Sequence, residues 1–95
     1  MNTNTSIVHD NPMSWYIDLG ATRHVCKNEL LFKTLHKVVD WEYLYVRNDT
    51  SIKVYAKGQV ELMFTSRNLL VLKDVYYAPD ISSNLVSGSL LKRLG

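Results

Sequence analysis

The residues best suited to take part in catalysis or binding form one short run near the start of the sequence. Asp18 is followed by Leu19, Gly20 and Ala21, and His24 lies three positions further on. A carboxylate at the end of an apolar strand is costly to bury unless it is neutralised, hydrogen-bonded or used in chemistry. Two interpretations of Asp18 follow. It caps its own turn, which is the common role of such a residue, or it belongs to an acid–base site.

The stretch before Asp18 has the pattern of the strand that would position it. Met13, Trp15 and Ile17 alternate with Ser14 and Tyr16, and this period of two is typical of a strand with one apolar face. A glycine two positions after the acid permits a sharp turn. The sequence therefore predicts a strand that ends on a carboxylate.

Residues 15–95 resemble the protease segment of copia-type retrotransposon Pol polyproteins. That family carries the pattern W-[IVL]-[LIV]-D-[ST]-G-A-[ST]-x-H, and the matching positions here are Trp15, Asp18, Gly20, Ala21, Thr22 and His24. Residues 75–80 are similar to the family's D-V-L-Y-V-P-D, and residues 84–87 match its N-L-[LIV]-S. One position departs from the pattern, because Leu19 stands where the family has Ser or Thr.

The resemblance implies an all-β fold, a retropepsin-like closed β-barrel of short strands with one short C-terminal helix. This domain would span residues 13–95, and the polar residues 1–12 are expected to form a flexible N-terminal tail. Short alternating segments separated by turn residues favour the same class independently. Ser87 or Ser89 is expected to cap the final helix.

The alternating positions also predict which side chains form the core. The run of residues 69–72 is wholly apolar and predicts a strand that is buried on both sides. The expected core consists of Trp15, Ile17, Val60, Leu62, Leu70, Leu72, Val75, Leu85, Val86 and Leu90.

The activity that the resemblance implies needs two carboxylates. Aspartic proteolysis uses a pair that shares one proton and divides the general-acid and general-base roles around a water. The sequence contains a single D-x-G, so the resemblance implies a homodimer in which Asp18 of each subunit meets at the two-fold axis. The candidate catalytic loop is Asp18, Leu19, Gly20 and Ala21.

Leu19 weakens this expectation of catalysis. In the family, the Ser or Thr hydroxyl at this position bonds to the backbone of the partner subunit, and leucine cannot replace it. A buried polar group left without its partner costs about 1–3 kcal/mol. We therefore expect a catalytically degenerate domain that binds a peptide or protein partner by strand addition. The alternative is an active homodimeric aspartic endopeptidase that processes a polyprotein, and only this alternative requires Asp18.

A hairpin is predicted in the middle of the sequence. Alternating runs over residues 38–46 and 51–56 flank a segment rich in turn-forming residues. The resemblance implies that the hairpin tip is a flap that closes over substrate, whereas an ordinary solvent-facing hairpin fits the same residues. The candidate flap residues are Arg47, Asn48, Asp49, Thr50 and Ser51, and the absence of glycine among them predicts a stiff tip.

Composition and charge exclude several other function classes. The 11 basic and 9 acidic residues are spread along the sequence with no basic block, which argues against a dedicated nucleic-acid or membrane surface. Trp41, Tyr43 and Tyr45 could stack on bases, but the acids between and before them disfavour this.

No metal, cofactor or membrane contact is expected. His24 and Cys26 together with Asp18 could suggest a metal site, but two spaced ligands are too few for zinc and the sequence has no C-x-x-C or second His pair. A packed histidine and a small apolar cysteine explain the same residues. The single cysteine predicts a reducing compartment, and no apolar run approaches the ~20 residues of a membrane span. We therefore expect an intracellular protein, cytoplasmic or nuclear.

Overall fold

The computed structural model describes residues 14–46, 50–63 and 66–94, leaving aside the side chains of residues 39–41, 46, 93 and 94. Its elements are β1 (Trp15–Asp18), β2 (Val25–Cys26), β3 (Phe32–Val46), β4 (Thr50–Met63), β5 (Leu69–Tyr77), β6 (Asn84–Ser87) and α1 (Gly88–Leu94), with a 3₁₀ turn at Glu29–Leu31. The predicted all-β class with one short C-terminal helix is confirmed. The predicted flexible tail, residues 1–12, lies outside the described residues.

The strands form one sheet in the order β1-β6-β2-β5-β4-β3. The pairs β1–β6 and β2–β5 are parallel, and the others are antiparallel. In the described part of the chain, β1 and β3 lie at opposite ends of the order and do not pair, so the expectation of a closed barrel is wrong there. A sheet closes only when its first and last strands meet in register. Here β1 offers 4 residues, whereas β3 has 15.

The predicted hairpin is present, but its strands are long. β3 and β4 have 15 and 14 residues and pair from Val46 and Thr50 back to Phe32 and Val60. The expectation of short strands throughout is therefore wrong for these two. Along β4, buried Val54 and Ala56 alternate with side chains that face outward, as the sequence pattern predicts.

Gly58 allows β4 to pass closely over β3. A Cβ built on Gly58 would overlap the Thr34 carbonyl oxygen and lie 2.8 Å from the Thr34 carbonyl carbon. The registers of both β3–β4 and β4–β5 also shift nearby, as at a β-bulge. Glycine at this position does not end the strand. It lets the strand continue through a close backbone contact.

The core consists of two clusters of buried side chains. The larger contains Cys26, Val60, Leu72, Val75 and Val86, against which six half-buried side chains pack: Trp15, Leu31, Phe32, Leu62, Leu70 and Leu91. The smaller contains Val25, Ala78 and Ile81, with Leu44, Ile52, Tyr76 and Leu85 packed on it. Most of the predicted core residues therefore lie in or against a cluster.

Two predictions about burial are wrong. Ile17 is 67% exposed and belongs to neither cluster, although Trp15, on the same face of β1, packs against the larger one. Among the described residues β1 is an edge strand beside β6 alone, which leaves Ile17 uncovered. Leu69 is 51% exposed, because it pairs with Met63, itself 66% exposed, at the far end of β4 and β5. The buried part of the apolar run is confined to its last residue, Leu72.

The helix α1 begins directly after β6. The Leu90 amide donates a 3.2 Å hydrogen bond to Oγ of Ser87, so Ser87 caps the helix as predicted. Asn28 caps the 3₁₀ turn in the same way by accepting from the Leu30 amide at 3.0 Å. None of the helices in the described residues is both long and apolar enough to span a bilayer.

Candidate functional site

The candidate loop begins where β1 ends. The Asp18 carboxylate accepts a 2.8 Å hydrogen bond from the Gly20 amide, and the Asp18 carbonyl accepts from the Ala21 amide at 3.3 Å. This confirms the interpretation that Asp18 caps its own turn. The Gly20 bond fixes the direction of the carboxylate, so the loop holds one oriented acid.

Leu19 points outward from this loop and is 77% exposed. It also lies against the start of α1, because a Cβ built on Gly88 would be 2.5 Å from Leu19 Cδ2 and 3.3 Å from Leu19 Cα. The loop therefore exposes an apolar side chain at the position that follows Asp18.

A network of hydrogen bonds supports the loop from behind. Ser87 lies opposite Asp18 in the parallel β1–β6 pair, and its hydroxyl donates a 2.6 Å hydrogen bond to the Ala21 carbonyl. The Ser89 hydroxyl lies 3.1 Å from that of Ser87 and 3.3 Å from the same carbonyl. The loop is thus tied to β6 and to the first turn of α1.

His24 forms the second part of this support. Its side chain is buried, and Nδ1 accepts a 2.9 Å hydrogen bond from the Ser87 amide. Burial lowers the pKa of His24, which favours the neutral ring, and the accepted bond places its proton on Nε2. The His24 carbonyl also accepts a 2.9 Å bond from the Tyr76 amide. Sequence reasoning treated His24 as packed but missed its bond to Ser87.

Cys26 is buried and its thiol is not poised for chemistry. The thiol donates to the Asn28 carbonyl over 3.3 Å, and burial raises its pKa to about 11. A protonated thiol is a poor metal ligand and a poor nucleophile. Among the described residues, no three His, Cys, Asp or Glu side chains come together as a metal site.

The candidate flap is described only in part. Arg47, Asn48 and Asp49 lie outside the described residues, and Thr50 and Ser51 form the exposed start of β4. Behind them, Leu44 and Ile52 pack on the cluster of Val25, Ala78 and Ile81. The hairpin is therefore anchored to the body of the domain by its inner face. A role for its tip in covering a substrate stays a prediction.

Comparison with known proteins gives the family. Residues 15–95 match the family model for the Pol polyprotein β-barrel domain. The chain belongs to this family. The match begins at the first residue of β1 and includes the Asp18 loop, the hairpin and α1. No curated protein and no solved structure matches this Pol β-barrel domain.

Proposed function

We propose that this Pol β-barrel domain is a retrotransposon-derived, copia-type aspartic-protease-like fold that no longer catalyses cleavage and acts by binding an extended segment of a partner. The observation that carries the proposal is that Leu19, the residue that follows Asp18, is 77% exposed. In the protease family that the sequence resembles, the residue at this position is Ser or Thr, and its hydroxyl bonds to the backbone of the partner subunit. Here Leu19 offers an apolar contact.

The absence of this hydroxyl argues against a stable catalytic pair. Catalysis would require two Asp18 carboxylates held within reach of one shared proton. Each loop is stabilised within its own subunit, through Gly20 and Ser87, and Leu19 supplies no polar group with which to lock two loops together. In a homodimer, the two Leu19 side chains would instead have to pack against each other at the two-fold axis or hold the two loops apart.

The edge of β1 supports a binding role. Within the described residues, β1 pairs only with β6, so the backbone groups on its other side are available to a further strand. Ile17 and Leu19, both more than half exposed, add apolar contacts along the same edge. An extended peptide that pairs with β1 would gain main-chain hydrogen bonds for affinity and these side chains for specificity.

One observation favours the second candidate, an active homodimeric aspartic endopeptidase that processes a polyprotein. The Gly20 amide orients the Asp18 carboxylate, and Ser87 braces Ala21 behind it. Such preorganisation suits an acid that must be presented in a fixed direction. Under this candidate, Asp18→Asn abolishes function, whereas under the binding proposal it leaves function intact.

The proposal is tested by selecting displayed peptides on the purified domain. We expect selected peptides with alternating apolar residues, whose binding survives Asp18→Asn and weakens about tenfold or more in Ile17→Lys. Leu30→Lys is the matched control, since Leu30 is 86% exposed and lies in the 3₁₀ turn.

Backbone pairing is tested on the peptide. Two peptides are compared, one N-methylated at its odd residues and one at its even residues. One of them should lose binding and the other should keep it, because only every second backbone amide of an added strand faces β1. Equal binding of the two methylated peptides would contradict strand addition. Loss of binding in Asp18→Asn would contradict a function that does not need the carboxylate.

A further inference from the structure

A cleft of about 560 Å³ is lined by residues of the segment that follows the Asp18 loop, of β4 and β5, and of the first turn of α1. Its walls include two apolar side chains, Val71 and Leu90, the half-buried ring of Tyr76, and three cations. The cations are Arg23, Lys57 and Lys73. A cleft of this size accommodates a few residues of a peptide or a small molecule.

The three cations come from separate parts of the sequence. Arg23 follows the Asp18 loop, Lys57 lies in β4, and Lys73 lies in β5. Lys73 is directed outward by a β-bulge. Between the pairs Gly58↔Val75 and Val60↔Leu72, β4 has one residue and β5 has two, Lys73 and Asp74.

Asp74, the second residue of the bulge, has a φ of 56° and also lines the cleft. The left-handed conformation is accessible to Asp and allows both bulge residues to be exposed between buried Leu72 and Val75. Its carboxylate offsets part of the positive charge, and the cleft stays net basic.

Two of the cations are organised around Tyr76. The Lys57 ammonium lies 4.8 Å from the centre of the Tyr76 ring and forms a 2.9 Å salt bridge with Glu42. The Arg23 guanidinium lies 6.0 Å from the same ring centre, and its Nε donates to the Tyr76 hydroxyl over 3.2 Å. Since Glu42 balances Lys57, Arg23 and Lys73 remain as the cations that can receive an anionic group.

Arg23 is both oriented and available. Besides the bond to Tyr76, its Nη1 donates to the Thr22 carbonyl over 3.0 Å, which restricts the rotation of the guanidinium. Arginine has five N–H donors, so further N–H groups on Nη1 and Nη2 can bind a carboxylate. A restricted guanidinium loses less conformational entropy when it does so.

We infer that this cleft binds an acidic peptide segment, with a side-chain carboxylate on Arg23 and Lys73 and a neighbouring apolar side chain on Val71 and Leu90. Because the walls carry both cations and apolar side chains, a chain with acidic and apolar residues next to each other complements them. Nucleic acid fits less well. Tyr76 already packs on the Val25–Ala78–Ile81 cluster and has cations over its ring, so little of the ring remains for a base to stack on.

Binding of an acidic peptide in the cleft requires neither the edge of β1 nor the loss of proteolytic activity. The cleft residues differ from Ile17 and Leu19, and their substitution leaves the strand edge unchanged. The two proposals therefore fail or succeed separately.

The test uses fluorescence anisotropy with a labelled peptide that contains the repeat Leu-Glu-Leu-Glu and a control peptide with Leu-Gln-Leu-Gln. We expect the Glu peptide to bind more tightly, with an affinity that falls as salt increases. Arg23→Gln and Lys73→Met should each weaken binding about tenfold or more, because each removes a charge-assisted contact. Lys37→Met is the matched control, an exposed lysine of β3 outside the cleft lining.

Folding is checked by thermal melting, and Lys73→Met carries the test if Arg23→Gln unfolds. Equal binding of the two peptides, or no binding of either, overturns the inference. Loss of binding in Lys37→Met to the same extent as in Lys73→Met also overturns it, because the charge effect would then be nonspecific. Tighter binding of an oligo-dT probe that is lost in the same cleft variants would assign the surface to nucleic acid instead.

Discussion

The backbone amide of Ser87 donates a 2.9 Å hydrogen bond to Nδ1 of His24, across 63 positions of sequence. Both residues are buried, and the hydroxyl of the same serine holds the Ala21 carbonyl of the candidate loop. One residue of β6 thus holds both the last residue of the loop and the histidine that follows it three positions later. The bond requires an unprotonated Nδ1, which makes the support of the loop sensitive to pH.

The first prediction is that His24 makes stability fall in mild acid. Burial lowers the pKa of His24 in the folded state, so the unfolded chain takes up a proton on this residue first. Neutral His24 contributes fully to the free energy of unfolding above its pKa in the unfolded chain, about 6.5. This contribution is lost as the pH falls towards the lower pKa of His24 in the folded state. Urea unfolding at pH 7.5 and pH 5.5 measures the change.

His24→Gln provides the comparison for this prediction, since its side-chain oxygen can still accept from the Ser87 amide. The variant should lose less stability between the two pH values than the wild type. His36→Gln, which changes an exposed histidine of β3, should behave like the wild type. An equal pH dependence in wild type and His24→Gln would show that another group is responsible.

The second prediction concerns Leu19→Thr, which restores the residue type of the protease family. Because Leu19 is 77% exposed and is proposed to serve as an apolar contact, the change should weaken association with partners and yield no cleavage. Sedimentation and a peptide-cleavage assay measure both properties. Stronger dimerisation together with pepstatin-sensitive cleavage, absent in the double variant with Asp18→Asn, would support the active endopeptidase instead.

The third prediction compares two glycines. Gly58→Ala should destabilise the domain by about 3 kcal/mol, because its methyl group would overlap the backbone of Thr34. Gly20→Ala should be tolerated, because its methyl group would lie at an ordinary 3.4 Å from Asp18 Oδ1 and the glycine has no positive φ. Thermal melting of the two variants gives the comparison. Similar melting temperatures would contradict the close passage of β4 over β3.

The fourth prediction concerns the core. Leu72→Ala should lower the free energy of unfolding by about 2–5 kcal/mol, because this leucine is 1% exposed and packs in the larger cluster. Leu30→Ala removes the same atoms from a side chain that is 86% exposed and should change stability by less than about 0.5 kcal/mol. Denaturant unfolding of both variants decides whether the register of β5 is correct.

The fifth prediction uses the single cysteine as a probe. Cys26 is fully buried and its pKa is raised to about 11, so an aromatic disulfide reagent at pH 8 should label it slowly in the native state and rapidly in urea. The ratio of the two rates measures the opening of the core. Fast labelling without denaturant would show that β2 is exposed in solution.

The sequence determined most of the local structure of this domain. Alternating apolar positions give β1 and the hairpin, since a strand with one buried face must repeat every two residues, and the continuous apolar run of residues 69–72 gives the start of β5. Ser87 before an apolar helical run marks the start of α1, because a hydroxyl can satisfy a free amide of the first turn. Asp18 beside a glycine likewise marks a capped turn.

The tertiary structure decided which of these elements meet, and that depends on pairing between distant segments. Ile17 has the pattern of a core residue but is exposed, because the sheet order leaves β1 at an edge. Arg23, Lys57 and Lys73 form no block in the sequence, and they line one cleft only in the folded sheet, where β4 and β5 pair through a bulge. Periodicity fixes the face on which a side chain lies within its own strand, whereas its neighbours follow from the packing of the whole sheet.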